Sequence, residues 1–204
     1  AFAASEVAAD RMCIAGIKNN LTLSVEYMLD CDKSDGGCKG GFLDDAWQFL
    51  TRTGLPAESC DPYEYCPFPE TPSCHKQGVV TEKGACPSHC SDGTPLKLSR
   101  ATSAYAVALP GDVYAMQAEV LTKGPIEVGF FIFDDFMNYK NGTYFRTPAA
   151  SGPLGGHAVR ILGWGVDRAK VPYWLVANSY GPQWGMSGFF HIRRGTNECG
   201  IEST

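Results

Sequence analysis

Apolar positions recur at helical spacing in the first half of the chain and gather into short β-rich runs in the second. Residues 1–17 are Ala-rich with no Gly or Pro before Gly16, and read as the body of a helix whose first turn lies at or before Ala1. Over 42–52, Phe42, Leu43, Ala46, Trp47 and Leu50 share one helical face, and Gly54 with Pro56 supplies the stop. A third helix is predicted over 112–123: Asp112 can cap, Val113, Met116, Val120 and Leu121 form the stripe, and Gly124-Pro125 ends it. Beyond residue 105 the predicted strands are Ile126–Phe133, Ala158–Leu162, Tyr173–Ala177 and Gly188–Arg193.

Between these halves, residues 57–100 show little periodicity and hold six of the thirteen prolines and five of the nine cysteines, which predicts an irregular region pinned by disulfides. Each closed loop there contributes on the order of 3 kcal/mol in the chain-entropy account, large beside a net stability of roughly 5–15 kcal/mol. The chain contains no internal repeat and no low-complexity segment.

Composition narrows the classes. With 204 residues, 44% of them apolar, the chain can bury a substantial core as one large domain or two small lobes. A net charge of -5 and a pI near 5.3 leave no basic field for a polyanion, so nucleic acid is not an expected partner. The longest apolar run, around Val128–Phe133, is far short of the roughly 20 residues that span a bilayer, and no membrane anchor is expected. The chain has neither an initiating Met nor a signal sequence, as in a processed mature protein or one whose front is missing. Nine cysteines point to an oxidising compartment, and their odd number leaves at least one thiol free or paired outside the chain. Zinc is the rival reading, but no C-x-x-C pair occurs and the densest Cys and His grouping is His89 beside Cys86 and Cys90, so no metal is expected. Sequons at Asn20 and Asn141 agree with a secretory route.

Two polar positions sit in contexts that a plain core does not explain. His157 follows Gly155-Gly156 and opens an apolar strand, so a substrate backbone could approach the imidazole closely. Asn178 ends the strand Tyr173–Ala177, a rigid platform for a polar group. A base whose tautomer is fixed by an amide is the pairing that activates a thiol. The bland alternatives are a structural histidine and a turn-forming asparagine, the role assigned to His75, His89 and His191 among the histidines.

The runs Gly155–Gly165, Pro172–Ser179, Gly188–Phe190 and Asn197–Glu202 resemble the C-terminal half of the papain-type cysteine proteases of the cathepsin B kind. In the first half, Ala1-Phe2-Ala3 resembles the residues just after that family's C-G-S-C-W, Asp10–Ile14 continues the same helix, and Cys38-Lys39-Gly40-Gly41 resembles C-N-G-G. The resemblance covers nearly the whole chain and is weakest over 67–105. It implies an α+β papain-like fold of two lobes: a helical, disulfide-rich lobe over 1–105, with an occluding-loop-like segment at 60–90, and a β-barrel-like lobe over 106–204, the active-site cleft between them.

By the same resemblance His157 is the general base, Asn178 orients it, and the nucleophilic cysteine lies two residues before Ala1, with the oxyanion-hole glutamine earlier still. Gly40 and Gly41 resemble the segment that pairs with an extended substrate, Gly156 a wall beside the scissile bond, and Trp184 the aromatic floor on the leaving-group side. Turns for the glycines and ordinary core for Trp184 are the alternatives. The resemblance also implies disulfides Cys31–Cys86, Cys60–Cys90 and Cys66–Cys74, with Cys13 and Cys38 paired upstream and Cys199 free.

The chain departs from that pattern in three places. The loop Cys66–Cys74 has no histidine where cathepsin B has two adjacent ones, so an endopeptidase with weak or no carboxydipeptidase activity is expected unless His75 or His89 takes that role. Thr204 replaces an acidic residue at the base of the pocket for the second side chain before the cut, which predicts an apolar preference there. Tyr180 replaces the Trp that shields the His and Asn pair. The family further implies polypeptide substrates, its own propeptide or cystatin-type inhibitors as partners, no cofactor, a monomer, and residence in a lysosome or equivalent acidic vacuole, or secretion. A catalytically inactive relative that binds without cutting, and a disulfide-rich binding module, are the alternatives.

Overall fold

The computed structural model describes residues 1–17, 20–63 and 84–203, together with the backbone of 65–66 and 76–77. The helices are α1 (Phe2–Ile14), α2 (Val25–Cys31), α3 (Leu43–Arg52), α4 (Val113–Lys123) and α5 (Asp134–Met137). The strands are β1 (Tyr65–Cys66), β2 (Lys76–Gln77), β3 (Ile126–Ile132), β4 (Thr143–Tyr144), β5 (Gly155–Val166), β6 (Pro172–Ala177) and β7 (Phe189–Arg193). They gather into two units, one of Ala1, Ala3–Ala9 and residues 18–104, the other of Phe2, Asp10–Ile17 and residues 105–204.

Helix α1 forms because alanines suit a helix interior and bury without losing rotamer freedom: Ala3, Ala4, Ala8 and Ala9 are all buried. It ends in a Schellman motif, with Gly16 at φ 69°, Gly16 N–H donating to the Cys13 carbonyl and Ile17 N–H to that of Met12.

In the first unit, α2 is capped by Ser24, whose Oγ accepts from Tyr27 N–H at 2.9 Å and donates to the Asp61 carbonyl at 2.6 Å. Helix α3 buries Ala46 and Leu50, but Phe42, which the helical spacing puts on its apolar face, is its N-cap and 76% exposed. The reason is position: a cap residue lies outside the helical repeat and its side chain leaves the stripe. Leu23, Leu50 and Leu55 are almost wholly buried, and an isolated bridge pairs Leu55 with Ser99. Disulfides join Cys31 to Cys86 and Cys60 to Cys90, and β1 pairs with β2 in parallel.

The second unit is built on a five-stranded sheet in the order β3-β5-β6-β7-β4, antiparallel except for the β4–β7 pair. Its core includes Trp174, Phe136, Phe190, Ile161 and Ile192, all without exposed surface. Helix α4 is capped by Asp112 Oδ1, which accepts from Ala115 N–H at 3.0 Å, and packs Met116 and Val120 against this core; Leu121 is 76% exposed. One buried carboxylate, Glu202, closes the C-terminal turn by accepting from Trp174 Nε1 (2.9 Å), Gly195 N (2.6 Å) and Asn197 N (2.7 Å).

Candidate active site

Strand β5 begins at Gly155, so His157 is its third residue and not its opening one. Glycine is a poor strand former, but the ladder to β3 recruits both glycines: Gly155 pairs with Ile132, Gly156 with Phe131 and His157 with Phe130. A Cβ built at Gly155 or Gly156 meets no atom of the described residues within 4 Å, so none of these demands glycine there. Asn178 follows β6, whose last residue, Ala177, pairs with Arg160 of β5, and Asn178 N–H donates to the Gly188 carbonyl at 2.9 Å.

These anchors bring the two side chains together, with His157 Nε2 2.8 Å from Asn178 Oδ1. The Ser179 backbone N–H also donates to Asn178 Oδ1, at 2.8 Å, and because an N–H needs an acceptor this fixes which way the amide faces. An amide oxygen can only accept, so His157 carries its proton on Nε2 and presents Nδ1 as the basic nitrogen. The imidazole stacks on Tyr180, with ring centroids 5.0 Å apart and 26° between planes, and its other neighbour is Phe130 at 5.9 Å. Burial pulls the His157 imidazolium below its ordinary value, opposed in part by the bond to Asn178. Burial also raises the Tyr180 phenol, which stays protonated. Phe130 is a contact that sequence reasoning missed, because only strand pairing sets it opposite His157.

The remaining positions are dispersed. Trp184 is half-buried and packs edge-on against Tyr180 (5.4 Å) and beside Phe136 (5.0 Å), so it serves the aromatic core as well as the surface near Tyr180. Gly40 and Gly41 are exposed in the first unit, Gly40 at φ 95°. Cys13 and Cys38 are exposed and form no disulfide among the described residues, whereas Cys199 is half-buried with its thiol pushed up to about 12, first by burial and then by Glu198, which makes it a poor nucleophile. Asn20 and Asn141 are exposed. His191 stacks on Tyr173 at 3.7 Å and His89 is exposed. Thr204, His75, Cys74 and the Cys66 side chain, and with them the Cys66–Cys74 pairing and the histidine-free loop, lie outside the described residues. Among the described residues no group of three or more His, Cys, Asp or Glu could hold a metal ion, and no helix is long and apolar enough to cross a membrane.

The family described as papain family cysteine protease matches residues 1–204. The chain is 39% identical over 204 residues to cathepsin B-like CP2 of Giardia intestinalis, covering 99% of this chain and 63% of that one. It is 42% identical over 221 residues to cathepsin B-like cysteine proteinase 4 of Caenorhabditis elegans, covering 99% and 64%. The chain therefore spans a little under two thirds of the length of these curated relatives. Among solved structures it is similar to proCathepsin B S9 from Trypanosoma congolense, with a TM-score of 0.84, 36% identity, and coverage of 98% of this chain and 64% of that one. It is also similar to the bromelain protease from Ananas comosus in complex with the E64 inhibitor, with a TM-score of 0.74, 28% identity, and coverage of 99% and 84%. A histidine held by an asparagine at the end of the neighbouring strand, inside a match that runs the whole length of the sequence, has one family explanation: the chain belongs to the papain family of cysteine proteases.

Proposed function

We propose that this chain carries the base and the orienting amide of a cysteine-type endopeptidase, with the nucleophilic thiol two positions ahead of Ala1 as the family resemblance implies. The observation that carries the reading is the 2.8 Å contact of His157 Nε2 with Asn178 Oδ1, which leaves Nδ1 as the nitrogen able to take a proton. In the reaction, Nδ1 accepts the thiol proton and the thiolate sulfur attacks the peptide carbonyl carbon. The imidazolium then gives its proton to the leaving amine as the C–N bond breaks, and an acyl-enzyme remains. Water, deprotonated by the same nitrogen, attacks the thioester, releasing the acid and restoring the thiol.

The Gly40-Gly41 segment is read as pairing with the extended substrate backbone, Gly156 as the wall that lets it approach, and Trp184 as the floor on the leaving side. The open space at Gly156 supports the second of these, since no contact among the described residues explains that glycine. Thr204 in the pocket for the second side chain favours apolar residues, and a Cys66–Cys74 loop without histidine favours endopeptidase over carboxydipeptidase action. Disulfides at Cys31–Cys86 and Cys60–Cys90, and sequons that would accept glycans at Asn20 and Asn141, fit secretion or an acidic vacuole. The propeptide is a partner of the same reading, supported by the likeness to a proform.

The test is N-terminal sequencing and intact mass of the natural protein, then labelling with an epoxide or iodoacetamide probe at mildly acidic pH. Labelling of a cysteine two residues before Ala1, lost in His157→Ala, is the expected result. A folded protein that takes no label sinks the peptidase reading in favour of a relative that binds without cutting.

A further inference from the structure

The loop that carries Gly40 and Gly41 in the first unit is closed on itself. Gly36 N–H donates to the Gly40 carbonyl at 2.8 Å, Gly40 N–H donates to the Gly37 carbonyl at 3.1 Å, and Gly37–Lys39 makes a single 3-10 turn between them. The chain then passes through Gly41 to Phe42, the N-cap of α3, which offers no side-chain cap of its own. An uncapped helix start leaves amide donors to be satisfied from elsewhere. Here Asp35, seven residues upstream, supplies the acceptor: its Oδ1 takes the Phe42 N–H at 2.7 Å.

The two glycines are glycine for different reasons. Gly40 sits at φ 95°, where a Cβ would meet no atom but the backbone itself is strained for any other residue. Gly41 is outside the left-handed region, yet a Cβ there would overlap Cγ and both oxygens of Asp35. The Asp35 carboxyl group thus occupies the side-chain space of Gly41 while holding the next amide.

That grip has a directional consequence. Gly41 C=O and Phe42 N–H belong to one planar, trans peptide unit and point in opposite directions, so fixing the N–H fixes the carbonyl. Pairing with an extended peptide depends on that aim, because hydrogen bonds weaken steeply as they bend. We propose that Asp35 is a positioning residue for substrate recognition, aiming the Gly41 carbonyl at the extended substrate by holding the Phe42 N–H of the same peptide unit. The inference rests on the reading of Gly40-Gly41 as the substrate-pairing segment. Burial raises the Asp35 carboxyl above its ordinary value against the opposing pull of the Phe42 N–H bond, with Asp32 and Asp45 adding to the rise. A protonated carboxyl keeps a carbonyl oxygen that accepts, so the grip survives mild acid.

The experiment uses the mature protein with its nucleophile and the variants Asp35→Ala, Asp35→Asn and Asp35→Glu. Three quantities are read: kcat and KM for a peptide with several residues before the cut, the rate of nucleophile alkylation by iodoacetamide, and Tm. Asp35→Ala should lower kcat/KM for the peptide about tenfold or more, chiefly through KM, since one well-aimed hydrogen bond is at stake. Alkylation should stay within about twofold of wild type, because that small probe needs no backbone pairing. Asp35→Asn, whose amide oxygen still accepts, should restore the peptide kinetics. Asp35→Glu, which moves the oxygens by a methylene, should show the same KM defect, and it serves if the alanine variant does not fold. Unchanged peptide kinetics in labelled Asp35→Ala and Asp35→Glu, or a parallel loss of cleavage and alkylation, overturns the inference alone. A wild-type protein that neither labels nor cleaves overturns the peptidase reading, and this inference with it.

Discussion

Asn178 Oδ1 accepts two hydrogen bonds at once, from His157 Nε2 at 2.8 Å and from the Ser179 backbone N–H at 2.8 Å. The backbone bond pins the amide and the amide pins the ring, so the tautomer of His157 is decided by a main-chain donor one residue beyond the asparagine. Asn178→Ala should release the ring and allow the other tautomer. We expect kcat/KM for a peptide to fall by roughly 10²-fold or more, the scale of a lost acid–base contribution. Stopped assays beside Tm on the mature protein check this; a variant within about threefold of wild type would show that His157 is oriented by something else.

Gly156, proposed as a wall beside the substrate, can be tested apart from folding. Its Cβ direction is empty and its backbone is ordinary strand, so Gly156→Val should leave Tm within about 2 °C of wild type, as for a surface change of under about 0.5 kcal/mol. Peptide cleavage should fall at least about tenfold while iodoacetamide labelling persists, if this glycine is the wall past which the substrate backbone slides. Equal cleavage by the valine variant would remove Gly156 from the substrate path.

Two histidines set a pH dependence of stability. Burial lowers His157 and His191 below the ordinary value of 6.5, in the latter against the attraction of Asp167. Each binds a proton more readily unfolded than folded, so unfolding is favoured as pH falls through 6.5 toward the folded value of each group, and the penalty is absent above 6.5. Urea midpoints of thiol-blocked protein from about pH 7.5 downward should decline, and His157→Gln or His191→Gln should each flatten part of that decline. Parallel curves for both variants and wild type would assign the acid sensitivity to other groups.

Glu202 supports the sheet that carries the site. Its carboxylate takes donors from Trp174, Gly195 and Asn197, and Trp174 is wholly buried. Glu202→Ala strands the buried Trp174 Nε1–H, and a buried donor left unpaired costs about 1–3 kcal/mol, whereas Gly195 and Asn197 are exposed and water can reach their amides. A loss of roughly 1–3 kcal/mol in urea unfolding is expected, with Glu202→Gln intermediate because one oxygen remains to accept. A loss below about 1 kcal/mol for the alanine variant would mean that water replaces the carboxylate.

Local signals made much of the architecture legible. Helices α1, α3 and α4 follow from alanine content, an apolar stripe and an Asp112 cap, each a property of neighbouring residues. Helix α2 escaped the pattern: it is seven residues long and buries Glu26 and Asp30, so no apolar face stands out. Asp30 is tolerated inside because Gly84 N–H donates to its Oδ1 at 2.6 Å from 54 positions away, a partner no local reading can supply. The exposure of Leu121 was hidden for a related reason: the helical period names a stripe, and packing decides how much of it is covered.

For the site the division is sharper. Residue type and order were enough to single out the two candidates, since His157 stands behind two glycines and Asn178 at a strand end. The tertiary structure decided the rest. The antiparallel register of β5 with β6 sets a histidine and an asparagine 21 positions apart at 2.8 Å, Ser179 N–H chooses the amide's face, and Asp35 fills the side-chain space of Gly41. Residue type fixes what a side chain can donate or accept; distance and direction are set by backbone pairing between segments far apart in the chain, and hydrogen bonding depends steeply on both.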